Sequence, residues 1–504
     1  MTNSALPKSG GEWWAVSVFV IALTLGGATT QGHWSDAIVQ LAGLTLILVV
    51  ALQATRSGSS ASSLGPILLG VLAVAAPLTQ LFPLSPRVWS SLAGRSQIYD
   101  GFIRAEIDPP WLALSLEPET TLRSCLSLVP PIAIFWSAAL LGPRVRRSMS
   151  FVVLVVAILS IFLGVAQLAG GPNSTLRFYS MTNASAAVGF FANRNHYSAL
   201  LYCAVALLGA WTLGAARKKD QRISAAIVLC LLLYVMLICG VVSAASRAGL
   251  LLTISAGLGF ATMSLREVER WDWPSSARVS SFLHFLGKLS LVVVVPAVLA
   301  AALWSEQIFR IIDRISSHEP RIEIYRTTWR AASSFMPFGA GFGTFASIYQ
   351  MFETPRQITP EFINRAHNDW LELWLEGGVV SMAVVGAFFV WFFAASSQVW
   401  RDSEENACDF DRRLARGSTI VIILLALHSM VDYPLRTTAL SCVFALACGN
   451  LIGARKIQDS REKAMAFDGG RRITRSMRET IPKSACSFSN EKDRSLRVVD
   501  AGDA

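Results

Sequence analysis

Polar residues able to do chemistry gather in five short clusters set in an otherwise apolar chain. The first is Asn193-Arg194-Asn195-His196-Tyr197, and the second is Ser246-Arg247-Ala248-Gly249. A third runs from Arg321 through Tyr325 and Arg326 to Gly339, Gly341 and Gly343. The fourth holds Arg365, His367, Asn368, Asp369 and Glu372, then Glu376-Gly377-Gly378. The last spans His428 to Arg436 and includes Asp432. Two chemistries suit these residue types. A guanidinium stays charged at any working pH and grips phosphate through two bonds at once. An imidazole titrates near neutrality and suits general-base work.

His367 is the candidate base, with His196 and His428 as residues that react or orient a partner. Arg247 lies between two nearly uncharged apolar blocks, where an ionisable group signals function. The blander readings stay open. An arginine here also pairs with acids such as Glu319, Glu323 and Glu361, and a lone histidine often caps or packs. The glycines at 339, 341 and 343 read as a flexible turn or as an amide lining for an anion. No HExxH or EF-hand pattern occurs, so neither a metal ion nor another cofactor is expected.

The elements that must hold these residues are membrane spans. Of 504 residues 53% are hydrophobic and 15% charged, against about 25% charged in ordinary globular domains. Apolar blocks of about 17–22 residues match the length a helix needs to cross a hydrocarbon core. They predict an all-α polytopic membrane protein with about twelve spans, near 13–30, 36–54, 64–82, 125–142, 149–168, 196–214, 223–242, 248–264, 286–304, 375–397, 418–432 and 437–453. Trp13, Trp14, Trp34, Trp304 and Trp400 fall near block ends, where interfacial aromatics belong. The net charge of +10 does not point to nucleic acid, because the basic residues sit in short loops and in a C-terminal tail. The eight cysteines form no CxxC pair.

With both termini in the cytoplasm, all eight lysines fall inside or at the inner end of a span. The outer segments then hold arginine but no lysine, which favours an anionic ligand. Two outer segments are long, about 83–124 and about 305–373, and the second lies between the ninth and tenth spans. Ile322, Tyr325, Trp329 and Phe335 give it helical spacing. Residues 1–453 read as the membrane domain and 454–504 as a basic, disordered cytoplasmic tail.

The segments GFFANRNHYSALL, SRAGLLL, RIEIYRTTWR with PFGAGFGTF, AHNDWLELWLEGG and HSMVDYPLR resemble the bacterial O-antigen ligase and O-antigen polymerase superfamily. Their order and the large loop between the second and fourth match too, over roughly residues 180–450. The resemblance implies a periplasmic loop on a bundle of about twelve helices in the bacterial inner membrane. It implies inverting, metal-independent transfer of a glycan from undecaprenyl pyrophosphate to an acceptor sugar. A ligase uses the lipid A core as acceptor; a polymerase uses another lipid-linked glycan and builds O-antigen or exopolysaccharide. Arg247, Arg321 and His367 take the family's functional positions, with Tyr325 where Trp is common. Asn193, Arg194, His196, Arg326, Arg365 and Asp369 are expected to bind substrate, and Asp369, Glu372 or Asp432 to orient His367. A transporter of lipid-linked glycans is the rival class, but it calls for midplane charges and internal repeats.

Overall fold

The computed structural model describes residues 9–30, 32–56, 64–216, 222–268, 321–355, 357–358, 363–401 and 409–469. A chain in lipid must satisfy its own backbone, and these residues are mostly helical. In order they form α1 (Gly10–Leu25), α2 (Trp34–Arg56) and α3 (Leu64–Thr79). A two-residue ribbon follows, β1 (Pro83–Leu84) antiparallel to β2 (Leu112–Ala113), with α4 (Pro86–Ser90) and α5 (Ser96–Arg104) between its strands. Next come α6 (Pro118–Ser127), α7 (Val129–Leu140), α8 (Pro143–Ala169), α9 (Arg194–Ala216), α10 (Arg222–Ser243) and α11 (Arg247–Val268). After the undescribed stretch stand α12 (Arg321–Ser334), α13 (Phe345–Phe352), α14 (Asp369–Arg401) and α15 (Asp409–His428). A 3-10 turn at Pro434–Arg436 leads into α16 (Thr438–Gly469).

Among the described residues, six helical stretches are long and apolar enough to cross a membrane: α2, the continuous α6–α7, α8, α9, α11 and α14. The expected ninth span, 286–304, lies outside the described residues, as do Arg310, Arg314 and the tail beyond Gly469. Three boundaries differ from expectation. Helix α14 begins at Asp369, so the acidic cluster is a helix start rather than a loop. Helix α15 occupies 409–428 rather than 418–432. Helix α16 continues through the first part of the expected tail, to Gly469.

Helix α9 runs through the centre, with 89% of its span buried, and packs against α10, α11 and α15. Helices α2 and α14, each 22% buried over the span, form the periphery. Ion pairs gather at the two ends of the bundle. At one end Arg147 meets Asp411 at 2.7 Å, and Arg413 and Arg416 share Glu267. The five polar clusters assemble at the other end.

There, the two segments expected to be long outer loops fold onto each other as one cap with its own apolar core. That core includes Ile324, Phe335, Phe345, Tyr349 and Leu375. Helix α12 buries Ile324, Thr327, Thr328, Ala331 and Ala332, while Ile322 and Trp329 stay exposed. Small side chains on the buried face let α12 approach α14 closely, and of the large residues at helical spacing Ile322 and Trp329 turn outward while Phe335 joins the cap core.

The glycine-rich segment is a rigid splice rather than a flexible turn. Ala340 N donates to Leu375 O and Gly341 N to Glu376 O, each at 2.9 Å. Phe342 N donates to Gln80 Oε1, and Leu116 N to Ala340 O. Those amides are spent on protein acceptors and do not line an anion site. The carbonyls they use, Leu375 and Glu376, flank the break of α14 at Gly378, whose φ is 58°. A Cβ on Gly378 would lie 2.1 Å from Pro337 O. Gly378→Ala should therefore cost several kcal/mol, combining left-handed strain of about 1–3 kcal/mol with an unrelieved backbone clash. Thermal unfolding of the purified variant checks this, and a midpoint equal to the parent's would contradict it.

Candidate functional site

His367 sits at the centre of the polar end, on the turn that leads into α14. Its φ is 52°, a left-handed conformation uncommon for a side chain with a Cβ. Hydrogen bonds on both flanks hold it there. The Tyr325 hydroxyl donates to His367 O at 2.9 Å, and Asp369 N donates to Ser429 O at 2.8 Å. Asn368 accepts from Leu371 N through its side chain and so caps α14. The three adjacent residues His367, Asn368 and Asp369 thus differ in setting: a part-exposed ring, a helix cap and a buried carboxyl group.

The His367 ring is 28% exposed, and its Nδ1 lies 3.1 Å from Asp432 Oδ1. Burial raises the Asp432 pKa, but the hydrogen bond from His367 and the nearby His367, His196 and His428 rings hold it well below the usual carboxylate range. An ionised Asp432 only accepts, so the proton of that bond sits on Nδ1 and Nε2 keeps its lone pair. Asp432 is itself held in place. Asn195 Nδ2 donates to Oδ2, Tyr433 N donates to Oδ1 at 3.0 Å, and Ser246 Oγ donates to Asn195 Oδ1 at 2.8 Å. The Asn193, Ser246 and His428 clusters therefore converge on one carboxylate. Tyr433 also lays its ring edge-on against His367, with centroids 5.1 Å apart.

Two arginines stand beside this dyad. Arg321 Nη1 donates to Val431 O at 2.7 Å, one residue from Asp432. Arg247, the first residue of α11, lies close enough to Arg321 for the two charges to repel. Arg194 is likewise the first residue of α9. The positive end of a helix dipole favours an anion beside it, and arginines stand at the starts of α9, α11 and α12.

The other expected ligands separate from this group. Arg365 is buried and donates to Glu372 at 2.8 Å. Asp369 is buried and accepts from Ser429 Oγ. His196 is buried, its Nδ1 2.8 Å from Thr437 Oγ1 and its ring against Tyr433. Arg326 is exposed on α12 and paired with Glu323. Asn193 accepts from Asn195 N. These side chains hold the frame, and of the three acids considered for orienting His367 only Asp432 reaches it.

Beneath the dyad lies an ionic core that sequence reasoning missed. Arg436 bonds Glu376 at 2.8 Å and lies 3.5 Å from Glu372 and 3.6 Å from Asp369. Burial lowers the pKa of Arg436, but Glu376, Glu372 and Asp369 outweigh it and hold the guanidinium charged. The clue in the sequence was three acids at helical spacing, 369, 372 and 376, with Arg436 in another cluster. Arg436→Met would leave three buried carboxylates facing Arg365 alone, and should cost about 3–5 kcal/mol. Thermal unfolding in detergent reads this out, and a loss below about 1 kcal/mol would refute it.

Fold and site together define a multi-pass membrane protein with a histidine–aspartate dyad and flanking arginines at one end of its bundle. Residues 232–386 match the family described as O-antigen ligase, which supports the resemblance to the O-antigen ligase/polymerase superfamily. The matched stretch takes in Arg247, Arg321 and His367 and ends before Asp432. No curated protein matches the chain.

Proposed function

We propose that this protein transfers a glycan from undecaprenyl pyrophosphate to an acceptor sugar, as an O-antigen ligase acting at the periplasmic face of the inner membrane. The observation that carries the reading is the His367–Asp432 pair opening beside Arg321 and Arg247. His367 Nε2 takes the proton of the acceptor hydroxyl as its oxygen bonds to the anomeric carbon. The bond from that carbon to the pyrophosphate oxygen breaks on the opposite face, so the configuration inverts. Negative charge builds on the departing pyrophosphate, where Arg247 and Arg321 stabilise it. Arg194, at the start of α9, is a further ligand for the same phosphates. Asp432 fixes the ring and stabilises the imidazolium that forms.

The lipid A core is the proposed acceptor, and a polymerase would present another lipid-linked glycan to the same groups. A deletion strain complemented with wild type or His367→Ala separates the two. Loss of long-chain lipopolysaccharide with accumulation of lipid-linked polymer supports the ligase. Attachment of single repeat units only, or loss of secreted polymer alone, assigns the polymerase reaction instead. A deletion that changes neither polysaccharide overturns glycan transfer and brings transport forward.

A further inference from the structure

We propose that α5 and the Phe82–Trp111 edge of the cap seat in the headgroup layer of the bilayer, on the side where the candidate site opens. Along α5, Ile98, Tyr99, Phe102 and Ile103 fall on one arc, and Gln97, Asp100 and Arg104 fall on the other. Not one residue of this helix is buried. The apolar arc continues into Ile107 and Trp111, both exposed.

The ribbon register says what covers this surface. Leu112 pairs with Leu84 and Ala113 with Pro83, so Trp111 stands opposite Ser85, on the ribbon that follows the end of α3. Phe82, just past that end, is 71% exposed, and Trp111 is 67% exposed. Helix α3 itself turns Leu68, Val71, Leu72 and Leu78 outward. In a multi-pass membrane protein such a face meets lipid. Phe82 and Trp111 thus stand exposed on the ribbon just past a lipid-facing helix, where aromatic side chains mark the membrane boundary, and the apolar arc of α5 belongs to the same excursion of the chain.

Charge narrows the class of lipid. Residues 82–111 carry Asp100, Glu106 and Asp108 against Arg87, Arg95 and Arg104, with no excess of positive charge. Anionic headgroups would not attract it, so the seating rests on apolar contact with any phospholipid. The seat is tied to the chemistry through Arg95, the residue before α5. This buried guanidinium donates to Leu114 O at 2.6 Å and to Gly339 O at 3.0 Å. Gly339 belongs to the splice that grips the break in α14. A cap resting on lipid through α5 thereby fixes the height of His367 above the membrane.

The test places the photo-reactive residue p-benzoylphenylalanine at Ile103, at Trp111 or at Asp100 in the full-length protein. Each variant is irradiated in nanodiscs of neutral phospholipid, and in nanodiscs with anionic phospholipid added. Phospholipid adducts at Ile103 and Trp111, none at Asp100, and about equal yields in the two lipid mixtures are expected. A protein–protein adduct at Ile103 would assign the face to a second copy or a partner and overturn the proposal. Absence of lipid adducts at both apolar positions, or adducts only with anionic lipid, would overturn it as well. None of these readouts depends on glycan transfer, so this inference and the proposed function fail separately.

Discussion

Replacing His367 with alanine is expected to lower glycan transfer by about 10²–10⁴-fold, the usual contribution of a positioned general base. Asp432→Ala should fall nearly as far, because an unanchored imidazole has neither a fixed tautomer nor a fixed direction. Asp432→Asn should lie between Asp432→Ala and the parent. Tyr433 N is a fixed donor to the Oδ1 position and Asn195 faces Oδ2. An asparagine here turns its carbonyl toward Tyr433 and His367, and its amide group then meets the Asn195 Nδ2 donor, so that Asn195 has to flip its own amide to accept. The ring keeps an acceptor at Nδ1 and loses only the charge that stabilises imidazolium. The double variant His367→Ala/Asp432→Ala should be little worse than His367→Ala alone, since the two residues act as a unit. Removing Asp432 also strands buried donors, at about 1–3 kcal/mol, so each variant is compared at matched unfolding midpoints by lowering the assay temperature. Full activity in Asp432→Ala, or independent losses in the double variant, would remove Asp432 from the mechanism.

The spans were legible because their cause is local. A helix in lipid needs a long apolar block, and apolar blocks can be counted along the chain. Even there, the start of α14 was misplaced, since Asp369, Glu372 and Glu376 lower its hydropathy while burying themselves against Arg365 and Arg436. The pairings with Arg436 join residues about sixty apart, and no periodicity records them. The clusters holding His367, Arg247 and Arg321 stood out by contrast with their neighbours. Their division into residues that face the opening and residues that hold the frame did not. Arg365 lies two residues from His367 yet is turned inward onto Glu372, while Arg321, forty-six residues before His367, stands beside the dyad. Side-chain direction at a left-handed turn such as His367 follows from the fold and not from sequence spacing. The glycines at 339, 341 and 343 misled for a related reason. Left-handed backbone serves a close protein splice as well as an anion nest, and the partners, Leu375, Glu376 and Gln80, decide which.

Arg247→Ala and Arg321→Ala should each lower kcat/KM for a lipid-pyrophosphate donor by about 10²–10³-fold, the scale for losing one preorganised donor to developing charge. The loss should fall more on kcat than on KM. Both arginines meet the pyrophosphate in the ground state, but its charge grows as the glycosidic bond breaks, and only that increment speeds the step. Two guanidiniums held close enough to repel make poor sense as a packing device. They make sense where a ligand of opposite charge spends its time. Arg247→Lys keeps the charge and gives up the two-bond grip, so it should recover part of kcat and little of the donor selectivity. Arg326→Ala serves as the control. Its guanidinium is exposed and pairs with Glu323 within α12, so its removal should change kcat/KM by less than about threefold, in line with the small worth of exposed pairs. If Arg326→Ala fell as far as Arg247→Ala, the phosphates would lie along α12 and not at the junction of α11 with the dyad. If Arg247→Ala and Arg321→Ala raised KM with kcat unchanged, both residues would be docking groups, and the charge on the leaving pyrophosphate would have to be stabilised by other groups at the same opening.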